Sequence, residues 1–218
     1  MRLQSAIFDM DGTLLDSMPT WRELGPTFLK EAGISATPEQ DRMLHILADC
    51  DVTPYLREIC GLPWSQQEII DQIIQRMETF YSSQVRPKPG LEKFLSILKM
   101  EGVWMYVATA THRRLTEKAL KTAGIDHYFR GIVTSADAGN HKSESADIYE
   151  MAMRRLQSNK RDTVVFEDAL HAIRTAKAAG FRVAGVYEAT AEQDQPEIQR
   201  LCDYYIRSYE ELVQSETF

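Results

Sequence analysis

The sequence predicts an α/β fold: a mainly parallel sheet flanked by helices, with a helical module inserted after the first strand. Three observations carry this. Six short apolar runs, at 3–8, 103–108, 131–134, 163–166, 182–186 and 204–206, have the length of strands. Segments of helical periodicity separate them, and strands alternating with helices imply right-handed βαβ crossovers and a sheet covered on both faces. Residues 18–84, in contrast, show helical spacing and no strand.

Taken in order, the first run ends in Asp9-Met10-Asp11-Gly12-Thr13, and helical patterns begin soon after. In the insert, apolar residues recur at helical spacing: Leu24, Phe28 and Leu29; Met43, Leu44 and Leu47; then Ile69, Ile70, Ile73, Ile74, Met77 and Phe80 as a stripe expected to form the module's core. The exit, Ser82-Ser83-Gln84-Val85-Arg86-Pro87-Lys88-Pro89-Gly90, is rich in turn residues and reads as a linker. The expected division is therefore a core of residues 1–16 and 87–218 and a helical domain of residues 17–86. After the second strand, Leu115, Ala119, Leu120 and Ala123 mark a helix closed by Gly124, a C-terminal cap. Trp21, Trp64 and Trp104, with His45, His127 and His171, read as packing or surface residues; Trp21 alone has a place from which it would face a ligand.

Composition narrows the function. The chain has 218 residues, 44% hydrophobic and 26% charged, with a net charge of -7. That balance argues against a nucleic-acid binder or a protein of anionic membranes, both of which need a basic face. Cys50, Cys60 and Cys202 form no Cys-x-x-Cys pair, which fits reduced thiols. The first residues are charged too early for a signal sequence and no run of 18 uncharged apolar residues occurs, so the expectation is a cytoplasmic protein, monomeric by default.

Open parallel sheets bind ligands at the carboxyl ends of their strands. This chain places Asp9 and Asp11 at the first such end, and Thr109, Ala110, Thr111 and Arg113 at the second. Lys142 lies in the loop after the third, and Glu167-Asp168 follow the fourth. Carboxylates gathered on one edge repel: two unit charges ~4 Å apart interact by about 4 kcal/mol at an effective dielectric near 20. A bound cation relieves that, and hard oxygen ligands from separate loops suit Mg²⁺, which shares its shell with a phosphate. With it, Asp9 would attack phosphorus, Asp11 would serve as acid and base, Thr109 and nearby backbone N–H groups would hold phosphate oxygens, and Lys142 would neutralise developing charge.

Simpler readings exist for single motifs. Asp11-Gly12 alone suits a hairpin turn, but a partner strand should then follow at once, and helix follows instead. As a calcium loop, Asp9-x-Asp11-Gly12 would put Ile7 at position 1 and Met18 at position 12, and neither side chain ligates calcium. Glu167-Asp168 alone suits a helix start.

Together the motifs resemble the haloacid dehalogenase superfamily. Asp9-Met10-Asp11-Gly12-Thr13-Leu14-Leu15-Asp16-Ser17 resembles its first motif, Val107-Ala108-Thr109 the second, Lys142 the third, and Val165-Phe166-Glu167-Asp168 with Ala179-Gly180 the fourth. The likeness runs from the first strand to about Tyr187 and implies a Rossmann-like core with an inserted α-helical cap that closes over substrate. It implies Asp9 as nucleophile and Mg²⁺ ligand, and Asp11 as acid–base and carbonyl ligand. It also implies Asp168 as a ligand, Glu167 as a ligand or its support, and Gly12, Thr13, Thr109, Ala110, Thr111, Lys142 and Arg113 around the phosphate. The third motif departs from the usual Lys-Pro-x-Pro-Asp-Ile-Tyr: five residues run from Lys142 to Asp147, with neither proline. The implied activity is Mg²⁺-dependent hydrolysis of a small phosphorylated metabolite. The alternatives are a β-phosphoglucomutase-like sugar phosphomutase, disfavoured because Trp21 stands where that group usually has histidine, and a catalytically silent binding module.

Overall fold

The computed structural model describes residues 3–46 and 52–214. Leu47 and Cys50 fall outside them, as does the side chain of His45. Two compact units emerge, residues 1–16 with 85–218, and residues 17–84. The second crossing thus comes two residues before the expected Pro87. The physical reason is local pairing: Asp16 N–H donates to Arg86 O at 3.0 Å and Lys88 N–H to Leu14 O at 2.9 Å. Leu15 and Pro87 form an antiparallel bridge between those bonds, and Val85 is buried.

The larger unit is built on six parallel strands: β1 (Ser5–Phe8), β2 (Trp104–Thr109), β3 (Phe129–Thr134), β4 (Thr163–Glu167), β5 (Arg182–Val186) and β6 (Tyr204–Ile206). Their order is β3-β2-β1-β4-β5-β6. The chain winds outward from β1 to β3, then returns to β4 on the other side of β1. Order therefore reverses at β1 and β4, the place where open α/β sheets form their ligand sites. The helices are α4 (Leu91–Met100), α5 (Arg113–Thr122), α6 (Ser135–Ala138), α7 (Asp147–Arg155), α8 (Leu170–Ala178), α9 (Gln195–Leu201) and α10 (Tyr209–Gln214).

Strand alternation sends successive side chains to opposite faces. Ile7, Ala108, Val165 and Val183 pack with Ile148, Tyr149, Ala152, Ile173 and Ile198 from α7, α8 and α9. Phe8 and Phe166 point the other way, stacked at 4.3 Å, with Phe94 of α4 5.8 Å from Phe166 and 5.4 Å from Tyr209 of α10. Both faces are covered, which is why β1 is buried along its whole length and Ala6-Ile7-Phe8 run apolar without alternation. Each fully buried Phe contributes roughly 1.5–3 kcal/mol.

Among the described residues, the smaller unit holds α1 (Met18–Glu31), α2 (Pro38–Ile46) and α3 (Gln66–Ser83), called αA, αB and αC here, and a π-helical turn at Tyr55–Ile59. A capping box between Ser65 and Glu68 starts αC. A Cβ on Gly25 would meet Leu44 at 2.9 Å, so αA and αB approach there through glycine. The expected stripe on αC is core only in part. Ile69, Met77 and Tyr81 are buried, Ile70 and Ile73 are half-buried, and Ile74, at the edge of the apolar face at about 100° per residue, is exposed. Trp21 donates its indole N–H to Tyr81 Oη at 3.0 Å within this unit. No helix among the described residues is long and apolar enough to cross a membrane.

Candidate active site

Asp9 behaves as one more residue of β1: its N–H donates to Phe166 O at 3.0 Å, prolonging the β1–β4 ladder. The chain then turns sharply. Leu14 and Leu15 N–H both donate to Met10 O at 2.9 Å, and Gly12 N–H donates to Leu15 O at 3.0 Å. Gly12 has φ 83, a left-handed conformation that glycine adopts without a Cβ penalty. The turn explains the close spacing of the two aspartates: Asp9 is held by the sheet, while Asp11 sits on the turn.

Glu167, the last residue of β4, is fully buried and fully engaged. One oxygen accepts from Lys142 Nζ at 2.5 Å and Tyr149 Oη at 3.0 Å. The other accepts the backbone N–H groups of Asp168 at 2.8 Å and Ala169 at 3.0 Å, fixing the turn into α8. Lys142 Nζ also donates to Asp9 Oδ1 at 2.7 Å. The 139–146 loop thus delivers its lysine between Asp9 and Glu167 without the two prolines, bracing itself by N–H bonds from Glu144 and Ser145 to His141 O. Asn140 closes it by donating to Asp147 at 2.6 Å.

Asp9, Glu167 and Asp168 each offer an oxygen within 4.8 Å of the others. Three buried carboxyl groups thus share the neighbourhood of one ammonium. Burial above all pushes Asp9 up to about 8, outweighing the pull of Lys142, with Glu167 and Asp11 adding repulsion. Burial also opposes ionisation of Glu167, but Lys142 and the turn N–H groups overcome it and hold this carboxyl below its usual range. The lysine itself is raised well above its ordinary value, because its two carboxylates prevail over its own desolvation. A divalent cation fits this oxygen set by chemistry and by charge.

The remaining expected residues divide. Thr13 donates its hydroxyl to Asp168 Oδ1 at 2.7 Å, and its carbonyl accepts from Tyr209 Oη at 3.2 Å. Thr109 ends β2 buried, its Oγ1 accepting Thr111 N–H at 3.1 Å. The Thr111 hydroxyl donates to Asp11 Oδ2 at 2.7 Å. Ala110 is exposed between them. Arg113 turns elsewhere, donating to Ile132 O at 3.0 Å and Asp137 Oδ2 at 2.7 Å, and so ties α5 to β3 and α6. Tyr149 was not singled out from sequence; its only signal there is a polar atom on the buried face of α7.

With this geometry in place, the comparisons with known proteins fall in line. The haloacid dehalogenase-like hydrolase family is matched over residues 6–186, and the chain belongs to that family. A phosphorylated carbohydrates phosphatase of Thermotoga maritima is 26% identical over 185 residues, covering 84% of this chain and 85% of the relative. Fructose-1-phosphate phosphatase YqaB of Escherichia coli is 26% identical over 190 residues, covering 85% and 97%. Among solved structures, a CbbY variant of Rhodobacter sphaeroides in complex with xylulose-(1,5)bisphosphate superposes with a TM-score of 0.81 at 22% identity, covering 96% of each chain. A β-phosphoglucomutase of Clostridium difficile gives 0.75 at 18%, covering 97% and 93%. These last two establish the shared fold.

Proposed function

We propose that this hydrolase cleaves a small phosphomonoester through an aspartyl-phosphate on Asp9. The observation that carries the reading is the buried cluster of Asp9, Glu167 and Asp168 around Lys142, at the point where strand order reverses. Asp9 and Asp168 side chains with the Asp11 carbonyl would hold Mg²⁺, which when bound supplies the missing positive charge and keeps Asp9 ionised. Glu167 is already saturated by four donors and serves as the frame that positions Lys142.

In the first step an Asp9 carboxylate oxygen forms a bond to phosphorus while the bond to the leaving oxygen breaks, and Asp11 donates its proton to that oxygen. In the second, Asp11 takes a proton from water, whose oxygen attacks phosphorus and releases inorganic phosphate and Asp9. Lys142 offsets charge on the phosphoryl oxygens. Two relatives are named for phosphorylated carbohydrates, and we extend that substrate class to this chain, with the helical unit as the cap that selects among them. Trp21, at the position where phosphomutases of this kind usually carry histidine, is engaged with Tyr81, which favours hydrolysis over phosphoryl return.

The test is release of inorganic phosphate from p-nitrophenyl phosphate and a panel of sugar phosphates, with Mg²⁺ and with chelator. Activity that needs Mg²⁺ and falls by on the order of 10⁴-fold or more in Asp9→Asn is expected for loss of a nucleophile. Wild-type activity in Asp9→Asn, or full activity in chelator, overturns the reading.

A further inference from the structure

Thr111 stands two residues beyond Thr109, in the loop from β2 to α5, where a phosphate contact was expected of it. The structure gives its side chain a different partner. Its Oγ1 donates to Asp11 Oδ2 at 2.7 Å across a sequence separation of 100 residues. The rest of the residue is pinned: its N–H donates to Thr109 Oγ1 at 3.1 Å, and its carbonyl accepts from Thr116 Oγ1 at 3.2 Å. The Thr116 hydroxyl reaches His112 O at the same distance, which locks the entry to α5. Thr111 is buried, and a β-branched side chain on a backbone fixed at both ends has little rotamer freedom. The hydroxyl is therefore a preset donor from one strand-end loop to the acid–base residue on another.

Asp9 is held by the sheet, by Lys142 and by burial, whereas Asp11 sits on a glycine turn and is half-buried, with the Thr111 hydroxyl on its Oδ2. We propose that Thr111 is a positioning residue of the general acid–base, and so a determinant of which leaving groups the enzyme can expel; this rests on the hydrolytic reading above. With Oδ2 accepting from Thr111, the carboxyl proton resides on Oδ1. As the bond from phosphorus to the leaving oxygen breaks, that proton passes from Oδ1 to the departing alkoxide and leaves Asp11 a carboxylate, which Thr111 stabilises by the same hydrogen bond. In the hydrolytic step Oδ1 takes the proton back from water.

Leaving groups expose this role. An alkoxide needs the proton, whereas p-nitrophenolate departs largely without it. A phosphate ligand would matter equally for both esters, because the phosphoryl group is the same. The experiment measures kcat and KM of wild type, Thr111→Val, Thr111→Ser and Asp11→Asn on glycerol 2-phosphate and on p-nitrophenyl phosphate, with Mg²⁺ present. Since both rates come from one preparation, their ratio is insensitive to any inactive fraction. Loss of a hydrogen bond to a charged group predicts that kcat in Thr111→Val falls about tenfold more on glycerol 2-phosphate than on p-nitrophenyl phosphate. Asp11→Asn should show the same bias more strongly, and Thr111→Ser should restore most of the ratio. Equal losses on both esters with a raised KM make Thr111 a phosphate ligand and overturn the proposal, as does a wild-type ratio in Thr111→Val. A wild-type enzyme that hydrolyses neither ester overturns the underlying hydrolytic reading instead.

Discussion

Two lysine–carboxylate groups with buried carboxylates lie in the same α/β unit, and they are built on opposite plans. Lys88, just past the second crossing, donates to Glu188 Oε2 at 2.6 Å and to Tyr187 O at 3.0 Å. The other Glu188 oxygen accepts the N–H and hydroxyl of Thr190, at 3.0 and 2.9 Å. That pair is neutral and each oxygen has its donor. Lys142, by contrast, sits between Asp9 and Glu167 with Asp168 beside them, one ammonium among three buried carboxyl groups, of which burial pushes Asp9 up to about 8. A structural pair can be closed; a site that must receive a cation and a phosphate has to be left out of balance. The comparison separates a tie that holds the linker to the end of β5 from a group of charges held ready for a ligand.

The largest expected effect falls on rate. Lys142→Met should reduce kcat by roughly 10²–10³-fold, as loss of a preorganised charge at a reacting group does, measured as phosphate release at saturating substrate. Lys88→Met should instead leave Glu188 buried and unpaired, costing about 3–5 kcal/mol in urea unfolding, while the folded fraction keeps its kcat. A Lys88 variant that folds normally but loses catalysis would erase the distinction.

The two groups should also respond to pH with opposite signs. Burial works to raise Glu188, but Lys88 and the Thr190 donors prevail and hold it below the usual range. Its contribution is present above the unfolded carboxyl value, ~4.3, and is lost as pH falls through its lower folded value. Asp9 is raised to about 8, so from about pH 4 upward the folded protein in chelator keeps a proton that the unfolded chain has released. Its stability should fall as pH rises toward 8, and Asp9→Asn should flatten that slope in thermal unfolding scans. Mg²⁺ binding to wild type below pH 8 should release protons, seen as buffer-dependent heats in calorimetry. A flat profile in chelator would mean that the cluster is already balanced.

Tyr149→Phe sharpens the comparison at its smallest scale. The variant keeps the packing against Phe181, 6.2 Å away, and removes only the hydroxyl on Glu167. It should cost about 1.5 kcal/mol, the size of a hydrogen bond to a charged group, read from urea midpoints.

Much of the fold was legible because buried parallel strands are marked by composition. The runs at 182–186 and 204–206 coincide with β5 and β6, and the others differ by one or two residues at their ends. Where the reading failed, tertiary contacts had decided. The αC stripe was too wide to be all core, since helical spacing identifies an apolar face but not how much of it a small helical unit can cover. The second crossing came at Gln84–Val85 because backbone bonds between residues 14–16 and 86–88, invisible to pattern, tie that segment to the turn after β1. At the site, strand-end carboxylates were visible as a group, but the partners of hydroxyls were not. Thr13, Thr111 and Arg113 carry the right chemistry at the right spacing and reach Asp168, Asp11 and Asp137.

By itself, the sequence determined the order of strands and helices, the insertion after the first strand, and which acidic residues end up at strand ends. Those follow from hydrophobic period and turn chemistry, which act over a few residues. Only the tertiary structure decided the division of labour among the polar groups. It paired Glu167 with Tyr149 and Lys142, and Thr111 with Asp11, leaving Asp9 with too little positive charge beside it. Hydrogen bonds between residues 18, 25 and 100 positions apart depend on crossover geometry, and a buried carboxyl's charge state depends on every group around it.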